Sequence, residues 1–162
     1  MRLGLGDAAA VEAAARELLA ARRPEESEAE LLVAEMLSGR RELIAGLVRD
    51  PTFGPCVVLG LGGVLTEALG DVAFATAPLS RDEAHGLLDA LAARKLFAEP
   101  FRGEPAVDRE ALADLLVALG RVGVEHPEVA SVDLNPVLVC GERPLAVDAL
   151  VELAGPKATA AA

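Results

Sequence analysis

Residues 131–153 read SVDLNPVLVCGERPLAVDALVEL, two apolar runs around a turn with polar side chains inside the runs. A two-residue type II′ turn fits Gly141-Glu142, because glycine readily adopts the positive φ that such a turn requires. This turn predicts a β-hairpin in which the numbers of paired residues sum to 283. Asn135 then lies directly opposite Asp148. An amide and a carboxylate are unusual in such an apolar hairpin, which raises the question of what they bind.

Strict alternation along the two strands predicts that Asp133, Asn135 and Asp148 share one face, with Asp133 opposite Leu150. The other face is predicted to pack in the core and consists of Val132, Leu134, Pro136, Leu138, Leu145, Val147, Ala149 and Val151. Directly paired residues have Cβ atoms about 4.5–5.5 Å apart, so a carboxylate and an amide oxygen can meet at one hard cation. Mg²⁺ suits such a site because it takes few protein ligands and keeps water and phosphate oxygens around it. The alternative is a solvated face of an edge hairpin, on which these polar side chains bind nothing.

The composition indicates a single globular domain and argues against several classes of partner. The 162 residues are enough for one ordinary domain. An aromatic content of 2% offers little for stacking bases, and a net charge of −11 argues against nucleic acid and anionic membranes as partners. Cys56 and Cys140 lie in apolar runs without metal-ligand spacing, which predicts buried, reduced thiols. With no apolar stretch of about 18 residues and no signal-peptide pattern, we expect a soluble, cytoplasmic domain.

Caps and breakers divide the chain into predicted elements. Asp7 is suited to cap an Ala-rich helix that ends before Pro24. Two later helices are predicted over about residues 80–93, capped by Ser80, and 108–123. The strand-like runs, which predict an antiparallel meander, are 29–37, 41–48, 55–60, 64–69 and 71–78, with a further short run at 2–6. Strands first and helices later, on one sheet, predict an α+β fold.

Three segments, in this order, resemble a known family. Residues 39–80 read GRRELIAGLVRDPTFGPCVVLGLGGVLTEALGDVAFATAPLS, residues 133–139 read DLNPVLV and residues 146–149 read AVDA. Together they resemble the ATP-grasp domain of NDP-forming acyl-CoA synthetases, and the similarity runs over residues 2–153. That family includes ADP-forming acetyl-CoA synthetase and the succinyl-CoA synthetase beta subunit, and its domain is also fused to some protein acetyltransferases. The resemblance implies an ATP-grasp-like second subdomain, a mostly antiparallel sheet with helices packed on one face.

The resemblance implies roles for the polar residues of the hairpin. In the family, the Asn of the D-x-N-P segment and the Asp of the following strand ligate the Mg²⁺ of the nucleotide, and these match Asn135 and Asp148. The acid two residues before that Asn lies near the position of phosphate transfer, which makes Asp133 the catalytic candidate. The family's Gly-rich turn near the reacting phosphate matches Gly62 and Gly63. The alternative for these glycines is that they only turn the chain between strands.

Nucleotide-binding residues are implied in the same way. The segment LLVAEML resembles the family's adenine hinge, whose backbone groups meet the purine edge, and Ala34, Glu35 and Met36 are the matching positions. A ribose-binding carboxylate commonly follows the hinge acid by seven residues, and Glu42 fits. The implied ligand is ATP or ADP with Mg²⁺, and a guanine nucleotide is not excluded. The alternative is that Glu35 and Glu42 are simply outward-facing strand residues.

A division of the chain is implied as well. Its parts are residues 1–22 as the last strand and helix of the first ATP-grasp subdomain, 23–29 as a linker, 30–153 as the second subdomain and 154–162 as a tail. In the family, the first subdomain carries a lysine that holds the nucleotide phosphates, and neither Lys95 nor Lys157 matches it. Because the nucleotide lies between two subdomains, the resemblance implies that a partner chain supplies this lysine and the CoA-binding domains.

Several positions depart from the family pattern. Leu150 stands where the family has a basic residue two positions after the metal-binding Asp, and Pro100 replaces the Gly of its G-[YF]-R-G loop. Arg102-Gly103 matches the rest of that loop, but the resemblance gives this arginine no role. His85 and His126 lie outside the family's phosphohistidine motif, which belongs to the CoA-ligase part, and we expect both on the surface.

Two functions remain open from the sequence. The first is half of a Mg²⁺-nucleotide site in an NDP-forming acyl-CoA synthetase, an acid–thiol ligase, completed by another chain. The second is a non-catalytic binding or oligomerisation module derived from this domain, which associates through the strand face around residues 30–60.

Overall fold

The computed structural model describes residues 1–23, 29–63 and 70–155, and the chain forms two compact units, Met1–Leu37 and the part from Ser38 onward. In the first unit, helix α1 spans Ala8–Ala20. Its N-cap is Asp7, whose carboxylate accepts a hydrogen bond from the Ala10 N–H at 2.8 Å. The predicted Ala-rich helix and its cap are therefore confirmed.

Two predicted strands of the first unit are wrong. Residues 1–6 and 29–37 lie outside any strand, and Leu32 and Val33 are exposed. An apolar run becomes a strand only where a neighbouring strand satisfies its backbone, and the described part of this unit supplies none. The predicted strand at 64–69 lies outside the described residues. The predicted division of the chain stays a prediction.

The described residues of the second unit form one six-stranded sheet. Its strands are β1 Arg41–Asp50, β2 Gly54–Leu61, β3 Val72–Thr76, β4 Val129–Cys140, β5 Arg143–Ala146 and β6 Leu150–Leu153. The order is β3-β2-β1-β4-β5, β6 also pairs with β4, and each of these pairings is antiparallel. The predicted antiparallel meander is confirmed for β1, β2 and β3.

Three helices follow β3 in the described chain. Helix α2 spans Arg81–Ala90 and begins with a capping box between Ser80 and Glu83, in which the Ser80 N–H donates to the Glu83 carboxylate at 2.8 Å. This hydrogen bond lowers the pKa of Glu83. Helix α4 spans Arg109–Glu125. Both match predicted helices, whereas the short helix α3, Lys95–Ala98, replaces part of an expected loop.

The core lies on one face of the sheet, between the strands and helices α2 and α4. Its fully buried side chains include Leu43, Leu47, Leu59 and Val57 from the strands, and Leu88, Leu112 and Leu116 from the helices. On the opposite face, described side chains such as Phe74 of β3, 62% exposed, face outward without a covering helix. The predicted architecture, an antiparallel sheet with helices on one face, is confirmed.

Two helical glycines give a matched test of this packing. A Cβ at Gly123 would lie 2.7 Å from Cδ1 of the fully buried Leu47 and 2.9 Å from Cβ of Pro55, whereas a Cβ at Gly86 would meet nothing within 4 Å. We expect Gly123→Ala to lower the free energy of unfolding by about 1–3 kcal/mol through overpacking. We expect Gly86→Ala to raise it by about 0.5–1 kcal/mol, because alanine loses less backbone entropy in a helix. Urea unfolding measures both, and shifts of the same sign would contradict the packing of α4 on β1.

Candidate functional site

The hairpin that carries the polar residues has the predicted register. Cys140 pairs with Arg143 around a turn whose Gly141 has φ +64°. The same numerical register continues into β6, where Asp133 pairs with Leu150. Both predicted features, the glycine turn and the Asp133–Leu150 pair, are confirmed.

Asn135 and Asp148 keep this register but lie outside the paired strand segments. Residues 147–149 separate β5 from β6. On the other side, β4 has a bulge against β1, because Leu43 pairs with Val137 while Ala45 pairs with Leu134. The Asn135-Pro136 peptide bond inside this bulge is cis. The backbones of Asn135 and Asp148 therefore lie at one level of the hairpin, next to the hydrogen bond that the Val147 N–H donates to the Pro136 carbonyl at 3.0 Å.

The bulge also reverses the faces of β4, and the predicted core face is wrong beyond Pro136. An extra residue on one strand shifts the alternation by one position. Val137 and Val139 are consequently in the core with no exposed surface, whereas Leu138 is only half-buried. Of the other predicted core residues, Leu145 is half-buried, and Val147, Ala149 and Val151 are exposed at the edge of the sheet.

Asp133 lies on the face of the sheet opposite the helices, called here the open face, where it lines an apolar depression of about 250 Å³. This depression is lined by Ile44, Ala45, Gly46, Leu47, Val48, Val58, Ser131, Val132 and Asp133. Gly46 pairs with Asp133, and a Cβ at this glycine would lie 2.7 Å from the Val132 carbonyl oxygen. The glycine thus lets β1 and β4 approach closely. Its role was missed in the sequence, where a glycine inside a strand pattern is the available signal.

Glu42, Gly62 and Gly63 are brought together where β1 begins and β2 ends. The Gly62 N–H donates to the Glu42 carbonyl at 2.8 Å. A Cβ at Gly62 would lie 2.7 Å from the Glu42 carbonyl carbon, and one at Gly63 would lie 3.4 Å from its Oε2. Gly62 therefore packs against the Glu42 backbone, and the Glu42 carboxylate lies beside Gly63. Close approach, and not only a change of chain direction, requires glycine at position 62.

The predicted hinge residues belong to the other unit. Ala34, Glu35 and Met36 are exposed and lie outside any strand. The expectation of a hinge strand is wrong for the same reason as the 29–37 strand. A contact of these backbone groups with a purine stays a prediction.

The polar residues have oxygen atoms that could accept a cation. Among the described residues, the side chains of Asp133 and Asn135 have no hydrogen-bond or ion-pair partner, and Asp148 accepts only from the adjacent Ala149 N–H at 2.8 Å. All three are exposed. Within the described ranges, His, Cys, Asp and Glu side chains form no cluster of three that could hold a metal ion. Two carboxylates and one amide on a single hairpin are ligands of the kind that Mg²⁺ uses, because Mg²⁺ takes few protein ligands, and they fit it better than a metal that needs a full protein cage.

The histidines and cysteines stand apart from these residues. His126 is exposed after α4, as expected, with its Nδ1 3.0 Å from Glu128 Oε1, whereas His85 on α2 is half-buried, with its Nε2 3.1 Å from Glu110 Oε1. Cys56 is a buried free thiol, as predicted, whereas Cys140 is a free thiol that is only half-buried.

A buried arginine at the start of β1 was also missed. Arg41 is 6% exposed and donates to Glu104 Oε2 at 2.9 Å and to three backbone carbonyl oxygens. These carbonyls belong to Leu96 at 3.1 Å, Pro105 at 2.7 Å and Gly141 at 3.0 Å. Through these hydrogen bonds the arginine connects the loop after α3 to the β4–β5 turn. Its partners are distant in sequence, so the sequence carries no signal for it.

A family model described as an ATP-grasp domain matches residues 1–153. This chain belongs to the ATP-grasp domain family. The resemblance to NDP-forming acyl-CoA synthetases is confirmed by the curated relatives and by the solved structures. No helix in the described parts of the chain is long and apolar enough to cross a membrane.

Two curated relatives of this ATP-grasp domain are ADP-forming ligases. The chain is 45% identical over 109 residues to the acetate–CoA ligase [ADP-forming] I of Archaeoglobus fulgidus, a match that covers 67% of this chain and 16% of the relative. It is 40% identical over 119 residues to the beta subunit of acetate–CoA ligase [ADP-forming] I of Pyrococcus furiosus, covering 74% and 51%. The matched part of the chain thus corresponds to about half or less of each relative.

Solved structures are also similar to this chain, and the chain again matches only part of each of them. The chain superposes on the ACD1 protein of Ca. Korarchaeum cryptofilum in complex with coenzyme A with a TM-score of 0.86 and 40% identity, over 94% of this chain and 67% of that one. Another structure from that organism, an acetyl-coenzyme A synthetase with coenzyme A and Mg-AMPPCP, gives a TM-score of 0.80 and 42% identity, over 94% and 67%.

Proposed function

We propose that this ATP-grasp domain forms one wall of a Mg²⁺-nucleotide site in an ADP-forming acyl-CoA synthetase, and that another chain completes the site. The observation that carries the proposal is that Asn135 and Asp148 lie at one level of the hairpin, with Asp133 at the neighbouring pair, and that all three side chains are exposed. The similar acetyl-coenzyme A synthetase in complex with Mg-AMPPCP supports it.

Each residue of the wall has a proposed role. Asn135 and Asp148 would hold Mg²⁺, which when bound neutralises charge on the phosphate oxygens. Asp133 is assigned to the position of phosphate transfer. Glu42 would accept hydrogen bonds from the ribose hydroxyl groups beside the Gly62-Gly63 turn.

The proposed reaction is that of the ligase relatives. Acyl-CoA, phosphate and a nucleoside diphosphate give the acid, CoA and the nucleoside triphosphate, or the reverse. The partner chain would contribute a cation for the nucleotide phosphates and the CoA-binding domains. ADP is the first nucleotide to test, and the guanine nucleotide is the alternative. The backbone of Ala34, Glu35 and Met36 is proposed to meet the purine.

Titration calorimetry of the 162-residue chain with ADP, in the presence and absence of Mg²⁺, tests the proposal. Saturable binding that requires Mg²⁺ supports a nucleotide-binding wall. Adding the partner polypeptide should then tighten this binding and restore formation of the CoA thioester. Absence of binding at millimolar ADP under both conditions would contradict the claim that this wall binds nucleotide by itself.

A non-catalytic association module is the second candidate, and the open face favours it. Val72 and Phe74 of β3 are 40% and 62% exposed on that face. Exposed apolar surface of this kind is typical of interaction sites. We expect such a module to dimerise, which light scattering after size-exclusion chromatography would show. A monomer that binds no hydrophobic dye counts against this candidate.

A further inference from the structure

A tight turn after α3 carries the part of the family loop that has no assigned role. Phe101 and Glu104 exchange both backbone hydrogen bonds, with N···O distances of 2.9 and 3.0 Å. The two residues between them have positive φ, +49° at Arg102 and +86° at Gly103. Positive φ at both central positions is the pattern of a type I′ turn, which favours Asn, Asp and Gly at its first central position.

Arginine is a costly residue at this position. A long side chain with a Cβ is strained at positive φ, and such strain persists only where the surrounding structure imposes it. Here the buried Arg41 anchors the residues that close the turn, since it donates to the Glu104 carboxylate at 2.9 Å and to the Pro105 carbonyl at 2.7 Å. One end of the turn is therefore attached to a buried side chain, while Arg102 itself is exposed.

The Arg102 side chain makes no interaction that accounts for this cost. Among the described residues, its guanidinium contacts only the Phe101 ring, 5.4 Å from the ring centroid, and pairs with no carboxylate. Two further exposed arginines lie on segments that the hydrogen bonds of Arg41 connect to the turn. Arg40 Nε lies 4.0 Å from Glu104 Oε1, and Arg143 follows the β4–β5 turn that Arg41 ties to the same loop.

We propose that Arg102 binds a phosphate group of a substrate. A guanidinium presents a planar fork of donors that matches phosphate oxygens. Glu99 and Glu142 are also exposed on these segments, and their negative charges offset those of the arginines. The local electrostatic attraction for a phosphate is therefore weak, and recognition depends on direct contact with the guanidinium. The choice of phosphate rests on the proposed function, because the nucleotide, coenzyme A and inorganic phosphate all carry this group.

The test is an NMR titration of the 162-residue chain with ADP plus Mg²⁺, with coenzyme A and with inorganic phosphate. We expect at least one of them to shift the Arg102 Nε–H and Gly103 N–H resonances saturably, and the responding ligand identifies the source of the phosphate. Arg102→Ala and Arg102→Lys should each weaken that binding at least tenfold. The matched control is Arg121→Ala, an exposed arginine on α4 that pairs with Glu125 and should leave the affinity unchanged. Shifts that never saturate, or that chloride reproduces, would overturn the proposal.

Thermal unfolding separates a binding role from a structural one. Arg102→Gly removes both the guanidinium and the strain, so we expect a rise in Tm of about 2–4 °C together with lost phosphate binding. A fall in Tm with phosphate binding unchanged would show that arginine serves the turn and not a ligand, and the proposal would then be wrong.

The outcome is separable from that of the proposed function. If Mg²⁺-dependent ADP binding needs Asp148 while no ligand shifts Arg102, only the inference about the turn fails. If phosphate or coenzyme A shifts Arg102 while ADP binding is absent with and without Mg²⁺, only the nucleotide proposal fails.

Discussion

Asp148→Ala is expected to weaken Mg²⁺-dependent ADP binding by about tenfold or more, which corresponds to at least about 1.4 kcal/mol. The physical reason is the loss of a charged oxygen ligand, for which water is a weaker replacement in a shell with few protein ligands. The Asp148 side chain is exposed and accepts a hydrogen bond only from the adjacent Ala149 N–H among the described residues. Its removal should therefore leave the fold intact, and calorimetry reports the nucleotide affinity.

Two further variants define the cause of the loss. Asp148→Asn keeps an oxygen donor but removes the charge, so its affinity should fall between those of the wild type and Asp148→Ala. Glu142→Ala removes an exposed carboxylate from the same hairpin, outside the polar group, and should leave the affinity unchanged. An equal loss in Glu142→Ala would assign the effect to the overall charge of the hairpin and contradict the metal-ligand role.

Arg41→Ala is expected to lower the free energy of unfolding by about 3 kcal/mol, because it removes one partner of a buried ion pair. Four hydrogen bonds are lost, and the half-buried Glu104 carboxylate and three carbonyl oxygens lose their shared donor. Burying acceptors without donors costs more than the hydrogen bonds themselves contribute. Urea unfolding followed by circular dichroism measures the change.

The neighbouring arginine is the matched control. Arg40 has a side chain that is 82% exposed, and its Nε is 4.0 Å from Glu104 Oε1. An exposed pair of this kind contributes little, so Arg40→Ala should change the free energy of unfolding by less than about 0.5 kcal/mol. Arg41→Lys should be nearly as damaging as Arg41→Ala, because a lysine ammonium cannot reach carbonyls on several sides at once. Equal effects of Arg40→Ala and Arg41→Ala would show that burial of Arg41 is not what matters.

The elements that the sequence predicted well are those with local causes. Asp7, Ser80 and the Gly141 turn each act on backbone groups within three residues of themselves, and all three confirm their predicted structure. The strands β1, β2 and β3 follow apolar runs that find neighbours in the sheet. The run at 29–37 has the same kind of pattern but lacks a neighbouring strand in the described residues, so the same local reasoning was wrong there.

The faces of β4 show why alternation alone was insufficient. A single extra residue in the bulge at Asn135 moves Val137 and Val139 into the core and leaves Leu138 half-buried. The register across the β4–β5 turn was nevertheless right, because it depends on the turn and not on the partner strand β1. Hydrogen bonding to β1, which is far from β4 in sequence, decides where the bulge lies.

The sequence by itself determined the family, the helix caps, the hairpin register and the group of polar residues that the hairpin carries, since each depends on a contiguous motif. The tertiary structure alone decided which side of the sheet Asp133 faces, how closely Glu42 approaches Gly62, and that a buried Arg41 anchors Glu104 at the end of the Arg102 turn. These outcomes depend on contacts between strands and loops far apart in the chain. Such contacts form only when the sheet closes and its core excludes water, and a linear pattern does not encode them.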